Sequence, residues 1–173
     1  LNALNALAKL QIDPDTPAFI QFSSGSTGDP KGVVLTHRRI LAHLADLAAS
    51  CEATEQDIFL SWFPLTHDMG MVLMHLVPLM LGAEQGQIPT KSFVQRPRKW
   101  LTCAARLGAT VICTNNFGLK HFLKVTAGKD GPTDDLGMVR LMFNAAEPIS
   151  DTLWEDFMTF VGETGLQRGA MYP

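Results

Sequence analysis

The sequence predicts an α/β protein in which a layered, mainly parallel sheet carries flanking helices. Short apolar segments rich in β-branched residues alternate with segments whose apolar residues recur every three or four positions. This alternation is typical of β-α-β units, which build parallel sheets. Of the 173 residues, 46% are hydrophobic and 18% are charged. A chain of this length and composition buries a substantial core and is not disordered.

The first predicted elements lie on either side of a loop rich in glycine and hydroxyl side chains. Leucines recur every third position in residues 1–10, so residues 1–17 are predicted to be either a linker or a short helix. Residues 18–22 are apolar and predict a buried strand, and residues 33–36 predict a second short strand. We expect residues 18–173 to form one domain.

The next part of the chain predicts two helices and two strands. Apolar residues spaced by four, three and four positions predict a helix over residues 36–51. This stripe consists of Ile40, Leu44, Leu47 and Cys51. Residues 57–62 predict a strand, and residues 69–81 predict a helix that is buried on nearly all sides, because almost every residue in it is apolar. Residues 84–88 predict a further strand.

The following elements are marked by proline and glycine. Pro97 suits the first position of a helix, and Gly108 ends it. Residues 110–114 are β-branched and predict a strand, which leads through Asn115 into a helix ending near Thr126.

The last predicted elements are a loop, a strand and a helix. Residues 128–137 predict a solvated loop whose charges serve solubility, and residues 138–143 predict a buried strand. A helix is predicted from about Asp151, where Thr152 and Glu155 have the spacing of a capping box.

Residues 23–32, Ser-Ser-Gly-Ser-Thr-Gly-Asp-Pro-Lys-Gly, have the composition of a polyphosphate-binding loop. Glycines allow successive N–H groups to turn toward one anion, hydroxyls add donors, and Lys31 adds a positive charge. The expected ligands of the phosphates are Ser23, Ser24, Gly25, Ser26, Thr27, Gly28, Lys31 and Gly32. The loop is not the P-loop of NTPases, because Pro30 stands at the second glycine position and no Ser or Thr follows the lysine.

Two further segments carry polar residues where strands end. Residues 62–70, Trp-Phe-Pro-Leu-Thr-His-Asp-Met-Gly, predict a strand–turn–helix junction in which Asp68 caps the helix. Residues 144–148, Asn-Ala-Ala-Glu-Pro, follow the last predicted strand. Ligands of open parallel sheets bind at the carboxyl ends of strands, so this segment is a second candidate binding segment.

The loop at residues 23–32 resembles the phosphate loop of the adenylate-forming superfamily, S/T-S-G-S/T-T-G-x-P-K-G, at every position. This superfamily includes acyl-CoA synthetases, adenylation domains of peptide synthetases, luciferases and fatty acyl-AMP ligases. Residues 62–70, and the F-x-x-R-P-x-x-W-L pattern at residues 93–101, resemble fatty acyl-AMP ligases and the loading domains of polyketide and lipopeptide assembly lines. The resemblance covers about residues 18–173.

The resemblance implies an ATP site, an acid site and residue roles. Lys31 and His67 are implied as catalytic residues. The implied acid-binding residues are His67, Asp68, Met69, Asn116, Phe117 and Gly118, and Asn115 stands where the family has proline. The residues implied beside the adenine are Asn144, Ala145, Ala146, Glu147 and Pro148. Ala145 replaces the usual glycine, and its methyl group crowds the purine or forbids a positive φ.

The implied reaction is the ATP-dependent activation of a carboxylic acid to an acyl-adenylate, with release of pyrophosphate. A carrier-protein phosphopantetheine or coenzyme A then accepts the acyl group. Mg²⁺ is implied as well, held by a glutamate expected beyond residue 173, and no metal ligand is predicted within the chain. Because the chain begins at Leu1 and stops at Pro173, we expect a partial domain that lacks the C-terminal domain and is inactive alone.

Alternatives to an acyl-AMP ligase remain open at this point. They are an acyl-CoA synthetase, an amino-acid adenylation domain with Asp68 facing the substrate amine, and a nucleotide-binding module without catalysis. The net charge of −3 and the lack of a basic face predict no nucleic-acid partner. No segment is long and apolar enough to predict a membrane span. Three cysteines without C-x-x-C spacing are typical of a reducing compartment, so we expect a cytoplasmic protein.

Overall fold

The computed structural model describes residues 11–23 and 30–172, and it divides the chain into two compact units, residues 1–47 and 48–173. In the first unit, β1 (Pro17–Ser23) and β2 (Lys31–Thr36) form an antiparallel hairpin. Helix α1 (His37–Ser50) follows β2 directly. The helix predicted over residues 1–10 lies outside the described residues.

The two strands of the hairpin are confirmed, but the predicted burial of β1 is wrong. Ile20 is 53% exposed and Phe22 is 67% exposed. The reason is that β2 is the one strand of residues 11–23 and 30–172 that pairs with β1, and a two-stranded ribbon leaves apolar side chains of both strands uncovered. The predicted stripe of α1 is confirmed at Ile40, Leu44 and Cys51, which are buried.

The second unit is built on a five-stranded sheet in which every neighbouring pair of strands is parallel, in the order β4-β3-β5-β6-β7. The strands are β3 (Ile58–Ser61), β4 (Glu84–Gln87), β5 (Val111–Thr114), β6 (Leu141–Asn144) and β7 (Met171–Tyr172). The predicted fold class is therefore confirmed.

Helices connect successive strands of this sheet. The π-helix Met69–Leu76 continues into α2 (Val77–Leu81), and the others are α3 (Thr90–Gln95), α4 (Arg98–Leu107), α5 (Asn116–Thr126), α6 (Asp151–Val161) and a 3₁₀ turn at Arg168–Ala170. The fully buried Trp100 joins four of them. Its ring centroid lies 6.0 Å from Phe93, 6.4 Å from Phe122 and 6.2 Å from Phe157. One aromatic cluster thus packs α3, α4, α5 and α6 together. The short helix α3 was not predicted.

The helix predicted over residues 69–81 is present, but its first two turns are π-helical. Pro78 has no N–H and its ring clashes with the carbonyl four residues earlier, so a widened turn before it avoids an impossible α-helical hydrogen bond. The predicted burial holds for Met69, Val72 and Met74. It fails at Leu79, which is 60% exposed.

Two predictions near the end of the chain need correction. The strand predicted from residue 138 begins at Leu141, and Met138 is 64% exposed, because a turn bonds the Val139 N–H to Leu136. The loop before it is solvated only in part: Leu136 is buried and Asp134 accepts a hydrogen bond from Thr102.

The capping box predicted for α6 is also wrong. The cap is Ser150, whose hydroxyl accepts from the Leu153 N–H at 3.3 Å. Glu155 forms an ion pair with Arg168 instead. Ser150 has an extended backbone, as a cap requires, whereas Thr152 is already inside the helix.

A polar network around the buried Asp57 connects the amino ends of three adjacent strands. The guanidinium of Arg140, just before β6, makes two 2.8 Å hydrogen bonds to the carboxylate of Asp57, just before β3. The Thr110 hydroxyl, just before β5, donates to the same carboxylate at 2.7 Å. Arg140 also donates to the carbonyl oxygens of Cys51 and Glu52. These bonds tie the residues after α1 to the amino edge of the sheet.

This network changes the acidity of Asp57. Burial alone would raise the pKa of its carboxyl, but hydrogen bonds from Arg140 and Thr110 outweigh burial and lower that pKa to about 2. The lowered value means that the ionised carboxylate is stabilised in the folded chain only. The resulting stability is present above the ordinary carboxyl pKa of 3.8 and is lost as the pH falls through about 2.

We expect Arg140→Ala to lower the free energy of unfolding by about 1 to 3 kcal/mol at pH 7, because it leaves the buried carboxylate of Asp57 without its partly exposed charge partner. Urea unfolding followed by circular dichroism measures this difference. The difference should shrink between pH 4 and pH 2, where the unsubstituted chain loses the same interaction by protonation of Asp57.

Arg38→Ala is the matched control. Arg38 also makes a double hydrogen bond to an aspartate, Asp15, but both side chains are more than 60% exposed. The control should change the free energy of unfolding far less, because water and salt screen an exposed ion pair. Equal losses from the two substitutions would contradict a special role for the pair that contains the buried Asp57.

Candidate active site

Three predicted site segments lie at the carboxyl edge of the parallel sheet. β3 leads into the turn that carries His67, β5 leads into Asn116, and β6 ends at Asn144. These three strands are neighbours in the sheet, so their carboxyl ends are adjacent. Ligands of open parallel sheets bind at this edge, opposite the edge that holds Asp57 and Arg140.

The His67 ring is held by the side chain that follows it. His67 Nδ1 lies 2.7 Å from Asp68 Oδ1, and the Met69 N–H donates to the same oxygen at 2.8 Å. The Met69 nitrogen is also 3.2 Å from His67 Nδ1, but a ring nitrogen that donates to a carboxylate has no lone pair to accept with. The carboxylate thus fixes the proton on Nδ1 and leaves Nε2 available to a ligand.

Gly70 is required by the close packing of this turn. A Cβ at this position would lie 2.3 Å from the carbonyl oxygen of Pro64 and 3.0 Å from that of Phe63. The His67 N–H donates to the same Pro64 oxygen at 3.0 Å. The position of His67 therefore depends on a contact that only glycine permits.

Asn115 and Gly118 fix the start of α5. The Asn115 side chain accepts from the Gly118 N–H at 2.8 Å, and its backbone is extended at φ −142°. A proline could adopt neither this φ nor the role of acceptor. Gly118 is buried, and a Cβ there would lie 2.7 Å from the Trp62 ring. Gly118 therefore has a packing role, and its assignment to the acid site stays a prediction.

The Asn116 side chain joins α5 to the segment after β6. Its Nδ2 donates to the carbonyl oxygen of Pro148 at 2.5 Å. Its Oδ1 lies 3.4 Å from the backbone nitrogen of Ser150 and 3.5 Å from Asn144 Nδ2. One carboxamide thus bridges the end of β6, the loop and the cap of α6.

A second bond holds the same loop from its acidic residue. Glu147 Oε1 accepts from the Phe117 N–H at 3.0 Å. This N–H is in the first turn of α5, where it has no partner within the helix and where a negative charge is favourable. The loop of residues 144–148 is therefore attached to α5 at both Asn116 and Phe117.

These attachments hold an unfavourable backbone conformation. Ala146 has φ +75°, and besides it only Glu52 has a positive φ among the described residues other than glycine. The sequence placed the demand for a positive φ at Ala145, and the structure places it one residue later. A left-handed conformation costs a residue with a Cβ about 1 to 2 kcal/mol. The hydrogen bonds of Asn116 and Glu147 offset this cost.

Asn144 and a neighbouring cavity complete this part of the site. Asn144 is buried, and no described residue donates a hydrogen bond to its Oδ1. A cavity of about 740 Å³ lies between α5 and α6. Its lining residues are Asn116, Phe117, Lys120, Leu123, Glu147, Ser150, Thr152, Leu153 and Asp156. The cavity thus touches a residue predicted for the acid, Phe117, and one predicted for the nucleotide, Glu147.

A chain of ring contacts connects His67 to Phe117. The successive centroid distances are 5.2 Å for His67–Phe63, 4.4 Å for Phe63–Trp62, 3.9 Å for Trp62–Phe93, 6.1 Å for Phe93–His121 and 5.8 Å for His121–Phe117. The two halves of the site are therefore attached to one rigid aromatic layer.

The predicted phosphate loop belongs to the first unit. Ser23 ends β1 and pairs with Lys31, the first residue of β2. Gly32 allows close packing, since a Cβ there would lie 3.0 Å from Ile20. The hairpin thus holds both ends of the loop. Ser24, Gly25, Ser26, Thr27 and Gly28 lie outside the described residues.

Sequence reasoning missed several residues of the site. Lys120, Thr152, Leu153 and Asp156 line the cavity, and their spacing along two separate helices carried no local pattern. Ser150 could have been found, because a serine followed by Asp151 and an apolar stripe is a usual helix start.

Within the described residues no group of three or more His, Cys, Asp or Glu could hold a metal ion. No helix of that part of the chain reaches the length and apolarity of a membrane span.

The sequence matches the family model of AMP-binding enzymes over residues 3–171. The chain belongs to the AMP-binding enzyme family. It is 33% identical over 165 residues to a medium-chain fatty acid–acyl-carrier-protein ligase of Moorena producens (strain JHB), covering 95% of this chain and 28% of the relative. The chain thus spans little more than a quarter of that relative's length.

Solved AMP-binding structures share the fold. A fatty acyl-adenylate ligase from L. pneumophila, in complex with acyl adenylate and pyrophosphate, matches with a TM-score of 0.85 and 31% identity, over 95% of this chain and 29% of that one. The adenylation domain of a keto acid-selecting NRPS module, bound to keto acyl adenylate, matches with a TM-score of 0.83 and 28% identity, over 94% of this chain and 29% of that one.

We expect Asn116→Ala to loosen the loop of residues 144–148, because each lost hydrogen bond removes about 1 kcal/mol and Ala146 then loses its restraint. Amide hydrogen exchange measures the effect, which should appear as faster exchange at Phe117 and Glu147. Asn115→Asp is the control, since it keeps the cap acceptor. Faster exchange throughout the sheet in Asn116→Ala would contradict a local role.

We expect Gly70→Ala to displace the turn that carries His67, because the added methyl group has no space beside Pro64. A loss of about 1 to 3 kcal/mol in the free energy of unfolding is typical of such overpacking. Gly169→Ala is the control, because a Cβ there meets no atom within 4 Å. The NMR signals of the His67 ring should shift in the first variant only.

Proposed function

We propose that the chain is part of an enzyme that activates a carboxylic acid, a fatty or related acyl acid, by adenylation and passes it to a carrier-protein thiol. The observation that carries this proposal is the meeting of the His67–Asp68 pair and the residue 144–148 loop at one sheet edge, in a chain of the AMP-binding family. The relative from Moorena producens supports a carrier protein as the acceptor.

In the first step, a carboxylate oxygen of the acid bonds to the α-phosphorus of ATP and the bond to pyrophosphate breaks. Negative charge accumulates on the outgoing phosphates. We assign Lys31 and the N–H and hydroxyl groups of residues 23–28 to neutralising that charge. The β1–β2 hairpin supports this assignment, because it positions Lys31 at the mouth of the loop.

The nucleoside of ATP is assigned to the loop of residues 144–148. The unpaired Oδ1 of Asn144 supports this assignment, because the exocyclic amine of adenine is a donor at an edge where ligands bind. The restraints on Ala146 support it too, since strained backbone held by its surroundings clusters at ligand sites. Mg²⁺ accompanies ATP phosphates, and we assign none of its ligands to the described residues.

His67 is assigned to orienting the acid. When protonated, its ring keeps Nδ1–H on Asp68 and presents Nε2–H to the substrate carboxylate. The same N–H stabilises the charge that develops during attack on phosphorus. The cavity of about 740 Å³ beside Phe117 is assigned to the acyl chain, with Phe117, Leu123 and Leu153 as its apolar lining residues.

In the second step, the thiolate sulfur of phosphopantetheine attacks the acyl carbon, and AMP leaves with the bonding electrons. The product is a thioester on the carrier protein. The three cysteines of the chain form no disulfide, and burial raises the pKa of the Cys113 thiol to about 12. Cys113 is therefore not a competing nucleophile, and we place the reaction in the reducing cytoplasm, where cysteines stay in the thiol form.

An amino-acid adenylation domain is the second candidate function. It would use Asp68 to bind the substrate amine. In this chain the Asp68 carboxylate already accepts from the Met69 N–H and pairs with His67. Asp68 therefore already has two partners within the turn, which favours a substrate acid that has no amine group.

The test is ATP–pyrophosphate exchange by the complete gene product that contains this chain, with a panel of fatty, hydroxy and amino acids. We expect exchange with fatty acids, and a loss of about 100-fold or more in Lys31→Ala and His67→Ala, because each removes charge stabilisation from the transition state.

The controls are His43→Ala and Lys129→Ala, which remove an exposed histidine and an exposed lysine outside the site. Exchange with amino acids alone would favour the second candidate. ATP binding without any exchange would favour a nucleotide-binding module without catalysis and refute the proposal.

A further inference from the structure

The charge of this chain is unevenly distributed along its sequence. From Gln85 to Lys129 there are eight lysines and arginines and no aspartate or glutamate. All seventeen acidic residues lie elsewhere, together with only six basic ones. The net charge of −3 is therefore the sum of a strongly basic segment and an acidic remainder. This distribution corrects the earlier inference that the chain has no basic face.

The structure places most of these charges on the solvent side of three packed helices. We define the basic surface as the exposed cations of α3, α4, α5 and the residues between α3 and α4, which are Lys91, Arg96, Lys99, Arg106, Lys120 and Lys124. The helices are joined by ring contacts among Phe93, Trp100 and Phe122. The His121 ring also bonds the Val94 carbonyl across α3 and α5 at 2.8 Å. The cations are therefore carried by one packed layer.

No acidic side chain in the described part of the chain forms an ion pair with these cations. The pairs that exist there join other residues. Arg96 and Lys99 share a small polar cavity of about 220 Å³ with Ser92 and Gln95. Two cations and two neutral polar side chains around such a cavity suit the carboxylate of a partner's side chain.

Burial against an apolar surface would be costly for this layer, because each charge would lose its hydration. A partner surface must therefore bring negative charge. The layer is followed in the chain by residues 130–163, which carry eight acidic residues and only one basic residue, Arg140. Helix α6, which packs against α5, belongs to this acidic part. A long polyanion such as a nucleic acid would extend from the basic helices onto this acidic part and be repelled there. A compact acidic protein could contact the basic helices alone.

We propose that the basic surface docks an acidic protein, and that this protein is the carrier that accepts the acyl group. The inference rests on the proposed function for the identity of the partner. Complementary charge then acts on the encounter with the carrier protein and not on the chemistry of adenylation.

The test uses the complete gene product with the substitutions Arg96→Glu, Lys99→Glu and Lys124→Glu, and an acidic holo acyl carrier protein as acceptor. We expect kcat/KM for the carrier to fall about tenfold or more at low ionic strength. The difference should shrink as salt is added, because salt screens exposed charges. Transfer to free pantetheine, which has the same thiol but no protein surface, should be unchanged.

Acid-dependent ATP–pyrophosphate exchange should also be unchanged, which shows that the variant is folded and adenylates normally. Arg39→Glu, an exposed arginine of α1 outside the basic segment, is the matched control and should leave transfer to the carrier intact. An equal loss with carrier and pantetheine, or no loss with either, overturns the proposal. So does a nanomolar affinity for double-stranded DNA that the triple variant loses.

Failure of the proposed function is distinguishable from failure of this inference. Without exchange in the unsubstituted protein, the adenylation proposal fails. Fluorescence anisotropy of a labelled carrier then still measures docking: weaker binding in the triple variant supports the basic surface as a docking site, and equal binding refutes it.

Discussion

The ion pair between Asp57 and Arg140 determines how the second unit is ordered. It joins the residues before β3 and β6, and Thr110 adds the start of β5 to the same carboxylate. Three neighbouring strands therefore begin at a common level, and they also end together because each has four residues. The turn of His67, the start of α5 and the loop after Asn144 consequently meet at one edge. The arrangement of the candidate site is in this sense a consequence of a polar network at the opposite edge.

At the carboxyl edge the backbone is held by side chains. Asp68 caps the turn of His67, Asn115 caps α5, and Asn116 bridges to Pro148. Each of these residues satisfies backbone groups that helix ends and loops leave unpaired. This accounts for a loop that keeps Ala146 at a positive φ in spite of its Cβ. A site restrained in this way is largely preformed, so little of a ligand's binding energy is needed to order it.

Local features of the fold could be predicted from the sequence, and contacts between distant segments could not. The cap at Asp68 and the helix end at Gly108 depend on residues next to them, and both are confirmed. The bond from Asn116 to Pro148 spans 32 residues and has no sequence pattern. The exposure of Ile20 depends on the number of strands beside β1, which the residues of β1 do not encode. The roles assigned to Lys31, His67 and the residue 144–148 loop came from family resemblance, and they stay predictions.

The segregation of charge within the second unit has an energetic cost that its packing must offset. Lys91, Arg96 and Lys99 lie within nine residues of one another with no acidic residue between them, and exposed like charges at such separations repel within the screening length of about 10 Å. Mixed charges on these helices would be more stable. The aromatic cluster around Trp100 supplies the compensating burial, since Trp100, Phe93 and Phe122 are all fully buried. The buried aromatic residues thus stabilise the packing of the helices. The exposed residues of these helices can therefore carry a charge pattern that folding does not require.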